Sequence, residues 1–389
     1  MLTRADVVIL LVNQHTVPIF IDIANAFAEA GEETILFTGH VETGGKPLSS
    51  KVNRVKSIAY QRGSIVNRSV SWLLFSTHYF FYLHFAKKPS QILVVTNPPL
   101  APIITWLVGK WRGIPFHVLI YDLYPEAFVQ AKFFTSKNRI YLLWQKMNLR
   151  FFKRAKYIFT LSESMKSAAS RYVENPDMIM VVHNWADIDY IRPIPKAENP
   201  FIKKHGLGGK TVIMYAGNMG LTHDLESVIE AARLLKNVFQ LFFVFIGDGG
   251  KRKILEQLVN ESSLPNVQFL PYQDEVNFPL AMAAADIGVV TLGVGAEGIS
   301  VPSKTYINLA AGVCLLSIAP ASSELSRLID LHQVGINCEP GSPVKLAHAI
   351  QELVNDKSLL TRYQKNALKA ALSYTSENAK EYVKAVIRL

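Results

Sequence analysis

One short segment, GAEGISVPSKTYINLAAG (295–312), carries the side chains best suited to chemistry. Glu297 stands beside Gly298, and Lys304 follows directly after Pro302-Ser303. A carboxylate accepts hydrogen bonds from hydroxyls, and an ammonium neutralises phosphate. The pair therefore suits a nucleotide-sugar, with Glu297 on the sugar and Lys304 on the diphosphate. The alternative is that Ser303 only caps a helix and Lys304 is a solvated surface cation.

Two glycine-rich loops occur earlier in the same half of the chain. The first, Ala216-Gly217-Asn218-Met219-Gly220, precedes a helix that we expect to begin near Thr222, a plausible N-cap. The second, Gly247-Asp248-Gly249-Gly250, leads into Lys251-Arg252-Lys253. Glycine lets backbone N–H groups approach an anion at a helix N-terminus, although an ordinary tight turn reads the same way. The cations oppose the helix dipole, so either an anionic ligand or solvation should offset them.

The elements that must position these loops are strands and helices in alternation. Continuous apolar runs without polar alternation are typical of strands buried on both faces of a parallel sheet. They occur at 7–12, 33–38, 92–96, 116–121, 157–161, 179–183, 211–215, 241–246, 266–270, 286–291 and 313–318. Helical patterns such as 221–236 lie between them, which predicts two α/β domains with right-handed crossovers and a cleft between them. Ligands of such sheets bind beyond the carboxyl ends of the strands.

The length of 389 residues fits two domains, which we place at residues 1–190 and 201–370. The proline-containing stretch 191–200 is the predicted linker. Residues 371–389 are predicted to form a C-terminal helix, and its return to the first domain is one option. No segment reads as a signal peptide or a membrane span, so we expect a soluble or peripheral protein.

Composition excludes several classes of protein. Hydrophobic residues make up 49% and charged residues 19%, which excludes a disordered or collagen-like chain. Cys314 and Cys338 cannot form a disulfide framework or a four-cysteine zinc site, and they fit a reducing compartment. The net charge of +10 is uneven: residues 1–190 hold 21 Lys and Arg against 13 Asp and Glu, and the remainder holds 20 against 18. A polyanion or an anionic surface is the expected partner.

These motifs resemble the family 4 glycosyltransferases, which have the two-domain GT-B architecture. The resemblance rests on the 295–312 segment, on YAGNMGLTHDLESVIEAA (215–232) and on FIGDGG (245–250). In the first half, 96–126 and VVHNWAD (181–187) are similar to the same family. Within it, the chain is most similar to bacterial enzymes of surface-polysaccharide synthesis that carry VPSK. The resemblance implies two Rossmann-like domains, the first binding the acceptor and the second binding the nucleotide-sugar.

The resemblance also implies roles for individual residues. Glu297 would contact the donor sugar, and the Gly298–Ile299 amides with Lys304 would hold the diphosphate. The Gly217–Gly220 loop would approach the diphosphate from the other side. The loops at Gly247–Lys251 and Leu270–Tyr272 would frame the uracil. The full donor-binding prediction comprises Gly217, Asn218, Gly220, Gly247, Asp248, Gly249, Lys251, Tyr272, Glu297, Gly298, Ile299, Pro302, Ser303 and Lys304.

On the acceptor side we expect Asn13, His15, Asn97 and Asp122, and Asp122 is placed where the family has a polar residue facing the reacting carbon. Asp122, Glu297 and Lys304 are the predicted catalytic residues.

The sequence departs from the family pattern at two places. Many members have a second glutamate, whose carboxylate contacts the ribose of the nucleotide. This chain has Thr305 and Ile307 at the corresponding positions, so this contact does not carry over. Many members also have Arg and Lys after the first glycine loop. This chain has Asn218 and His223 there, so Lys304 is expected to bear more of the phosphate charge.

The resemblance implies a retaining transfer of a hexose, with glucose as first guess, from a UDP-sugar. We expect no cofactor. We also expect no metal, because the one DxD triplet, Asp187-Ile188-Asp189, lies at the start of the linker, and we interpret its carboxylates as polar linker residues. Retention without a visible nucleophile favours front-face displacement.

A basic segment of the first half indicates a membrane surface. Residues 127–162 contain no acidic residue. Arg139, Lys146, Arg150, Lys153 and Arg154 fall within about 100° of helical arc, beside the stripe Ile140, Trp144, Met147 and Phe151. Each cation near anionic lipid contributes about 1 kcal/mol. The alternative is that this segment is a core helix with one solvated face. The aromatic stretch 72–88 has the same two interpretations. We expect a cytoplasmic protein, peripheral on the inner face of the membrane, with a lipid-linked saccharide as acceptor.

Two competing functions make different predictions. A UDP-sugar 2-epimerase of GT-B fold would share the nucleotide loops and would act without an acceptor. A nucleic-acid-binding protein would explain the pI of about 9.4, but the cations are not interleaved with aromatics in a known motif. We therefore expect no nucleic acid partner.

Overall fold

The computed structural model describes residues 7–61, 65–299 and 301–387. The chain forms two compact units. Within the described residues, the first unit comprises 7–184, 298–299 and 376–387, and the second comprises 185–297 and 301–375. Residues 191–200, predicted as a linker, lie inside the second unit. No helix of the described residues is long and apolar enough to cross a membrane.

Each predicted apolar run contains a strand, and the strands at 8–12, 116–119, 158–160, 287–291 and 314–318 are buried along their whole length. Their bounds are β1 (Val8–Val12), β2 (His15–Thr16), β3 (Glu33–Thr38), β4 (His40–Val41), β5 (Val52–Lys56), β6 (Gln91–Val95), β7 (Phe116–Leu119), β8 (Ile158–Thr160), β9 (Ile179–Val181), β10 (Thr211–Ala216), β11 (Leu241–Ile246), β12 (Val267–Leu270), β13 (Ile287–Thr291), β14 (Cys314–Ile318) and β15 (Gly335–Cys338).

Helices separate the strands. Their bounds are α1 (Pro18–Glu29), α2 (Ile65–Phe85), α3 (Ala101–Arg112), α4 (Glu126–Gln130), α5 (Arg139–Phe152), α6 (Glu163–Ser170), α7 (Pro200–Lys204), α8 (Glu226–Leu234), α9 (Arg252–Glu261), α10 (Asn277–Met282), α11 (Lys304–Ala310), α12 (Glu324–His332), α13 (Pro343–Asn355), α14 (Lys357–Ala371) and α15 (Ala379–Ile387).

The first unit is built on a parallel sheet of order β5-β3-β1-β6-β7-β8-β9. Strand β1 lies between β3 and β6, with Leu10 opposite Ile35 on one side and Ile92 on the other. Helix α5 begins where the Asn138 side chain accepts a hydrogen bond from the Ile140 amide at 2.8 Å. The last helix, α15, packs on α1 and so belongs to this unit.

The second unit has the sheet order β12-β11-β10-β13-β14-β15, again parallel. This is the doubly wound order 3-2-1-4-5-6, in which the winding reverses between the first and fourth strands. Its core holds Phe243, Leu316 and Ile350, each fully buried, and a buried side chain of this size stabilises by roughly 1.5–3 kcal/mol. The predicted α/β class with two Rossmann-like parallel sheets is confirmed.

Candidate active site

The winding of the second unit fixes where its ligand crevice lies. Strands β10 and β13 are neighbours, with Ile213 opposite Ile287, and the chain leaves them toward opposite sides of the sheet. A crevice forms beyond their carboxyl ends at such a reversal point. The loop that follows β10 holds Gly217, and the segment that follows β13 leads to Lys304. The topology therefore places the predicted phosphate-binding residues at the crevice.

Lys304 is half-buried at the first residue of α11. Its Nζ donates a hydrogen bond to the Tyr215 hydroxyl at 2.5 Å and lies 3.8 Å from the centroid of the Tyr215 ring. Burial lowers the pKa of Lys304 to about 7, because a low-dielectric environment disfavours the ammonium. The alternative of a solvated surface cation is wrong. Ser303 occupies the N-cap position, but its side chain makes no capping hydrogen bond.

Tyr215 connects Lys304 to the first glycine loop. Its hydroxyl lies 2.8 Å from His223 Nδ1 and donates to the Asn218 carbonyl at 2.5 Å. Burial, reinforced by the nearby Lys304 charge, lowers the pKa of His223 to about 4. His223 is therefore neutral at neutral pH and adds no second cation.

The glycines at the two loops serve close packing as well as backbone conformation. Gly217 has a φ of +126°, and a Cβ there would lie 2.6 Å from Lys304 Cε. Gly249 has a φ of +148°, and its Cβ would lie 2.6 Å from the Met219 carbonyl oxygen. The Met219 amide also donates to the Asp248 carbonyl at 2.8 Å. The two loops thus pack directly on one another, and Gly217 leaves room for the lysine stem.

The charge of Lys251 is offset inside the protein by an acidic side chain. Its side chain is only 14% exposed and forms an ion pair with Glu226 Oε2 at 2.7 Å. It also donates to the His223 carbonyl at 2.6 Å. Arg252 donates to the Gly247 carbonyl at 2.5 Å and so holds the second loop.

The helix after the first loop begins at Glu226, so the predicted start near Thr222 is wrong. The cap comes from Asp224 instead: its Oδ1 accepts from the Ser227 amide at 3.2 Å, and its Oδ2 accepts from the Ser227 hydroxyl at 2.8 Å. Residues 221–225 remain loop, which lengthens the segment bordering the crevice.

The remaining predicted donor residues divide between the units. Glu297 is half-buried in the second unit, whereas Gly298 and Ile299 cluster with the first, where the Leu123 amide donates to the Ile299 carbonyl at 3.2 Å. In the second unit, Pro302 is half-buried, Gly220 is half-buried and Asn218 is exposed.

Tyr272 follows β12 and is exposed. Its hydroxyl lies 3.5 Å from the Asp248 carbonyl oxygen. The loops after β11 and β12 therefore meet, as a base-binding site would require.

The predicted acceptor residues lie at the carboxyl ends of strands in the first unit. Asp122 follows β7, and burial raises the pKa of its carboxyl to about 6. Its carbonyl accepts from the Thr96 hydroxyl at 2.9 Å. Asn13, after β1, is buried and accepts from the His15 amide at 3.3 Å. His15 Nε2 lies 3.0 Å from Glu42 Oε2, and Asn97 after β6 is half-buried.

No group of three or more His, Cys, Asp or Glu side chains able to hold a metal ion occurs among the described residues. In the DxD triplet, Asp187 Oδ1 accepts from the amides of Asp189 and Tyr190, both at 3.0 Å. The carboxylate of Asp187 thus closes a local turn.

Together, the two parallel sheets and the half-buried lysine at the reversal point of the second sheet define an α/β protein of two Rossmann-like units. A family model described as glycosyl transferases group 1 matches residues 198–370. The "Probable glycosyltransferase WbjE" of Pseudomonas aeruginosa is 30% identical over 271 residues, which cover 69% of this chain and 67% of that protein. The chain belongs to the glycosyl transferases group 1 family and is a glycosyltransferase.

Solved structures agree on the fold. Anabaena Alr3699/HepE in complex with UDP and glucose matches with a TM-score of 0.77 and 16% identity, covering 98% of this chain and 100% of that one. WaaG, a glycosyltransferase involved in lipopolysaccharide biosynthesis, matches with a TM-score of 0.70 and 16% identity, covering 96% and 98%. The predicted GT-B fold is confirmed.

Sequence reasoning missed Tyr215 as part of this site and named His223 only as a departure from the family pattern. Tyr215 ends the buried run of β10 and so resembles any core aromatic. Its position immediately before the glycine loop is the one signal that marks it.

Proposed function

We propose that this glycosyltransferase moves a hexose, with glucose as first candidate, from a UDP-sugar to a lipid-linked or saccharide acceptor in bacterial polysaccharide synthesis. The observation that carries the proposal is the half-buried Lys304 at the reversal point of the second sheet. A desolvated ammonium without a carboxylate hydrogen-bond partner favours an anionic ligand.

The choice of donor follows from the relatives and from the loops. The structure of Alr3699/HepE is a complex with UDP and glucose. WaaG is a glycosyltransferase involved in lipopolysaccharide biosynthesis. In this chain, the exposed Tyr272 follows β12 and meets the loop that holds Asp248. We expect the uracil ring to stack there. Glu297 would accept hydrogen bonds from the sugar hydroxyls, and the Gly298–Ile299 amides would contact the diphosphate.

The proposed reaction retains the anomeric configuration. The bond from the anomeric carbon to the diphosphate oxygen breaks, and the bond to the acceptor oxygen forms on the same face. The proton of the acceptor hydroxyl passes to the leaving phosphate. Lys304 stabilises the developing diphosphate charge, which is the preorganised electrostatic contribution to such a step. Asp122 orients the acceptor hydroxyl or the sugar.

We propose that no metal takes part in the transfer, because Lys304 supplies the positive charge at the diphosphate. Activity should therefore survive excess EDTA. Loss of activity in EDTA and its return with manganese would overturn this part of the proposal.

A thermal-shift screen tests the donor. A ligand present at 100 times its Kd stabilises the folded state by about 2.7 kcal/mol. UDP-glucose should raise the Tm, GDP-sugars should not, and Lys304→Ala should abolish the increase. A larger shift with a GDP-sugar would reject the nucleotide assignment.

A further inference from the structure

The Asp122 carboxyl depends for its place on the backbone that carries it. Burial alone raises its pKa to about 6, with no contribution from a hydrogen bond or an ion pair among the described residues. Asp122 begins a short segment, 122–126, that follows β7 and ends at the first residue of α4. We call this segment the Asp122 loop. The contacts that fix the loop therefore decide where the carboxyl lies.

Thr96, which directly follows β6 and is buried, fixes the start of the Asp122 loop. Its hydroxyl accepts hydrogen bonds from the amides of Tyr121 and Asp122 at 3.1 Å and 3.3 Å. It also donates to the Asp122 carbonyl at 2.9 Å. These contacts use the full hydrogen-bonding capacity of a hydroxyl, which has one donor and two acceptor sites. A valine at this position would leave all three backbone groups without this partner.

Asn148 fixes the middle of the Asp122 loop from helix α5. Its side chain is buried, and Nδ2 donates to the Tyr124 carbonyl at 2.6 Å. Asparagine is a weaker helix former than leucine, and its buried amide costs free energy unless it is hydrogen-bonded. The contact with the Tyr124 carbonyl explains why a polar residue occupies this buried position of α5.

Glu126 fixes the end of the Asp122 loop. Its Oε1 accepts from the Tyr172 hydroxyl at 2.5 Å and from the Tyr141 hydroxyl at 3.4 Å, and it forms an ion pair with Arg171 at 3.1 Å. Tyr141 and Asn148 are seven positions apart on α5, so both contacts come from one face of the helix. A buried ion pair adds little net stability, because desolvation offsets the attraction. Its effect here is to fix where the loop ends.

We propose that Thr96, Asn148 and Glu126 are positioning residues of the transfer reaction, which fix the Asp122 loop at its start, middle and end and so hold the Asp122 carboxyl in its buried place. The inference rests on the proposed function, in which Asp122 orients the acceptor hydroxyl or the sugar.

A positioning role and a purely structural role differ in their consequences. If the three contacts only stabilised the first unit, their loss would lower the Tm and leave the Asp122 carboxyl unchanged. If they position the carboxyl, a loosened loop admits water to it. Its pKa then falls toward the ordinary value of about 3.9, since burial no longer disfavours the charged form.

Carbon-13 NMR of protein labelled at the aspartate carboxyls tests the inference without a substrate. The Asp122 signal is the one that Asp122→Asn removes, and in the wild type it should titrate near pH 6. Thr96→Val and Asn148→Leu should each lower this pKa by about one pH unit or more. Thr96→Ser, which keeps the hydroxyl, should titrate like the wild type.

The matched control is Asn199→Leu in the second unit. Asn199 is also buried and also donates to a backbone carbonyl, that of Leu280, at 2.8 Å. Its replacement should lower the Tm and leave the pKa of Asp122 unchanged. The control thus separates loss of stability from loss of position.

Release of UDP from UDP-glucose, with water as acceptor, connects the Asp122 loop to the reaction. Thr96→Val and Asn148→Leu should each lower kcat ~10-fold or more, because small displacements of a reacting group are costly. The KM for UDP-glucose should stay within about twofold of the wild-type value, since the proposed donor-binding loops remain intact. Glu126→Leu should behave in the same way.

Other results would overturn the inference. These are an Asp122 carboxyl that titrates near its ordinary pKa in the wild type, a pKa that does not change in Thr96→Val and Asn148→Leu, or a Thr96→Ser variant that matches Thr96→Val. A lowered pKa with unchanged kcat rejects the positioning role. If Asn148→Leu or Glu126→Leu does not fold, the two Thr96 variants still decide the outcome. A wild-type protein that neither binds UDP nor releases it from UDP-glucose rejects the proposed function, whereas the NMR titrations decide separately whether the loop contacts hold the carboxyl.

Discussion

The side chain of Lys304 is desolvated beside an uncharged partner. Its ammonium is half-buried against Tyr215, with a hydroxyl and a ring face as neighbours. Neither neighbour carries a negative charge, so the charged form is disfavoured and the pKa of Lys304 falls to about 7. A diphosphate in the crevice would restore the charged form and gain a strong interaction.

The first prediction concerns this charge. Lys304→Ala should lower kcat/KM at least ~100-fold, because the stabilisation of the leaving diphosphate is lost. Lys253→Ala, which removes an exposed lysine of the same unit, should leave kcat/KM unchanged. Steady-state kinetics with the donor varied measures both. A loss of tenfold or less in Lys304→Ala would place the lysine outside the catalytic machinery.

The second prediction is a bell-shaped pH dependence of kcat/KM, which reports groups of the free enzyme. Burial raises the pKa of Asp122 to about 6, so the carboxylate is present above that pH. Burial lowers the pKa of Lys304 to about 7, so the ammonium is lost above that pH. Activity should therefore be highest between the two values.

Variants assign the two limbs of this profile. Asp122→Asn should abolish the acid limb. Lys304→Arg should abolish the alkaline limb, because a guanidinium stays charged. A profile that is flat across both values in the wild type contradicts the assignment.

Residue types and spacing singled out Lys304 and the glycine loops as candidates, but they left a solvated surface cation and an ordinary tight turn as alternatives. Partners far along the chain were not predictable. Tyr215 is 89 positions from Lys304, and Glu226 is 25 positions from Lys251. Only the fold brings such pairs together, so these contacts could not be predicted from the sequence.

At the scale of elements, burial decided which strands could be predicted. The inner strands β1, β13 and β14 are buried throughout and read as continuous apolar runs. Strands β5 and β15 lie at sheet edges and were missed. β5 has the sequence VNRVK with three exposed residues, because an edge strand has solvent on one side and its apolar pattern is interrupted.

The basic helix was predicted too long. Helix α5 ends at Phe152, so Lys153 and Arg154 lie beyond it, and Lys153 forms an exposed ion pair with Glu174. The predicted stripe is also divided: Ile140 is exposed, Trp144 and Met147 are half-buried, and Phe151 is buried. The exposed surface of α5 thus includes Ile140, an apolar residue of the predicted stripe.

The third prediction belongs to this helix. Wild-type protein should float with anionic vesicles at low salt, and Lys146→Glu/Arg150→Glu should reduce flotation severalfold, because each cation contributes about 1 kcal/mol near anionic lipid. The control is Lys365→Glu/Lys369→Glu on α14, two exposed lysines at the same spacing. If wild-type protein does not bind anionic vesicles at low salt, the membrane assignment is wrong.

At the scale of the whole molecule, the first unit is completed by residues that follow the second. Helix α15 packs on α1. Its Tyr382 is buried 4.7 Å from the Phe159 ring, and the Val386 carbonyl accepts from Gln91 Nε2 at 2.7 Å. We predicted a C-terminal helix over 371–389, with a return to the first domain as one option; the helix spans Ala379–Ile387 and belongs to the first unit.

The fourth prediction follows from these contacts. Removal of residues 376–389 should expose the apolar face of α1 and destabilise the first unit by several kcal/mol, as expected when large buried side chains are lost. Hydrogen exchange should show lost protection in β1 and α1 and native protection in β10 and β11. Equal loss of protection from hydrogen exchange in both units would contradict the expectation that the second unit is stable without α15.

The return of α15 also sets an order of events during synthesis. Nearly all of the first unit leaves the ribosome before the second unit begins, yet its last helix is made only after residue 375. At 5–20 residues per second, translation of the intervening second unit takes roughly 10–40 s. During that interval the apolar face of α1 has no α15 to cover it, so the nascent first half needs protection from aggregation. The strands of the second unit are translated consecutively, with no strand of the first sheet between them. The second unit is therefore free to fold before the first.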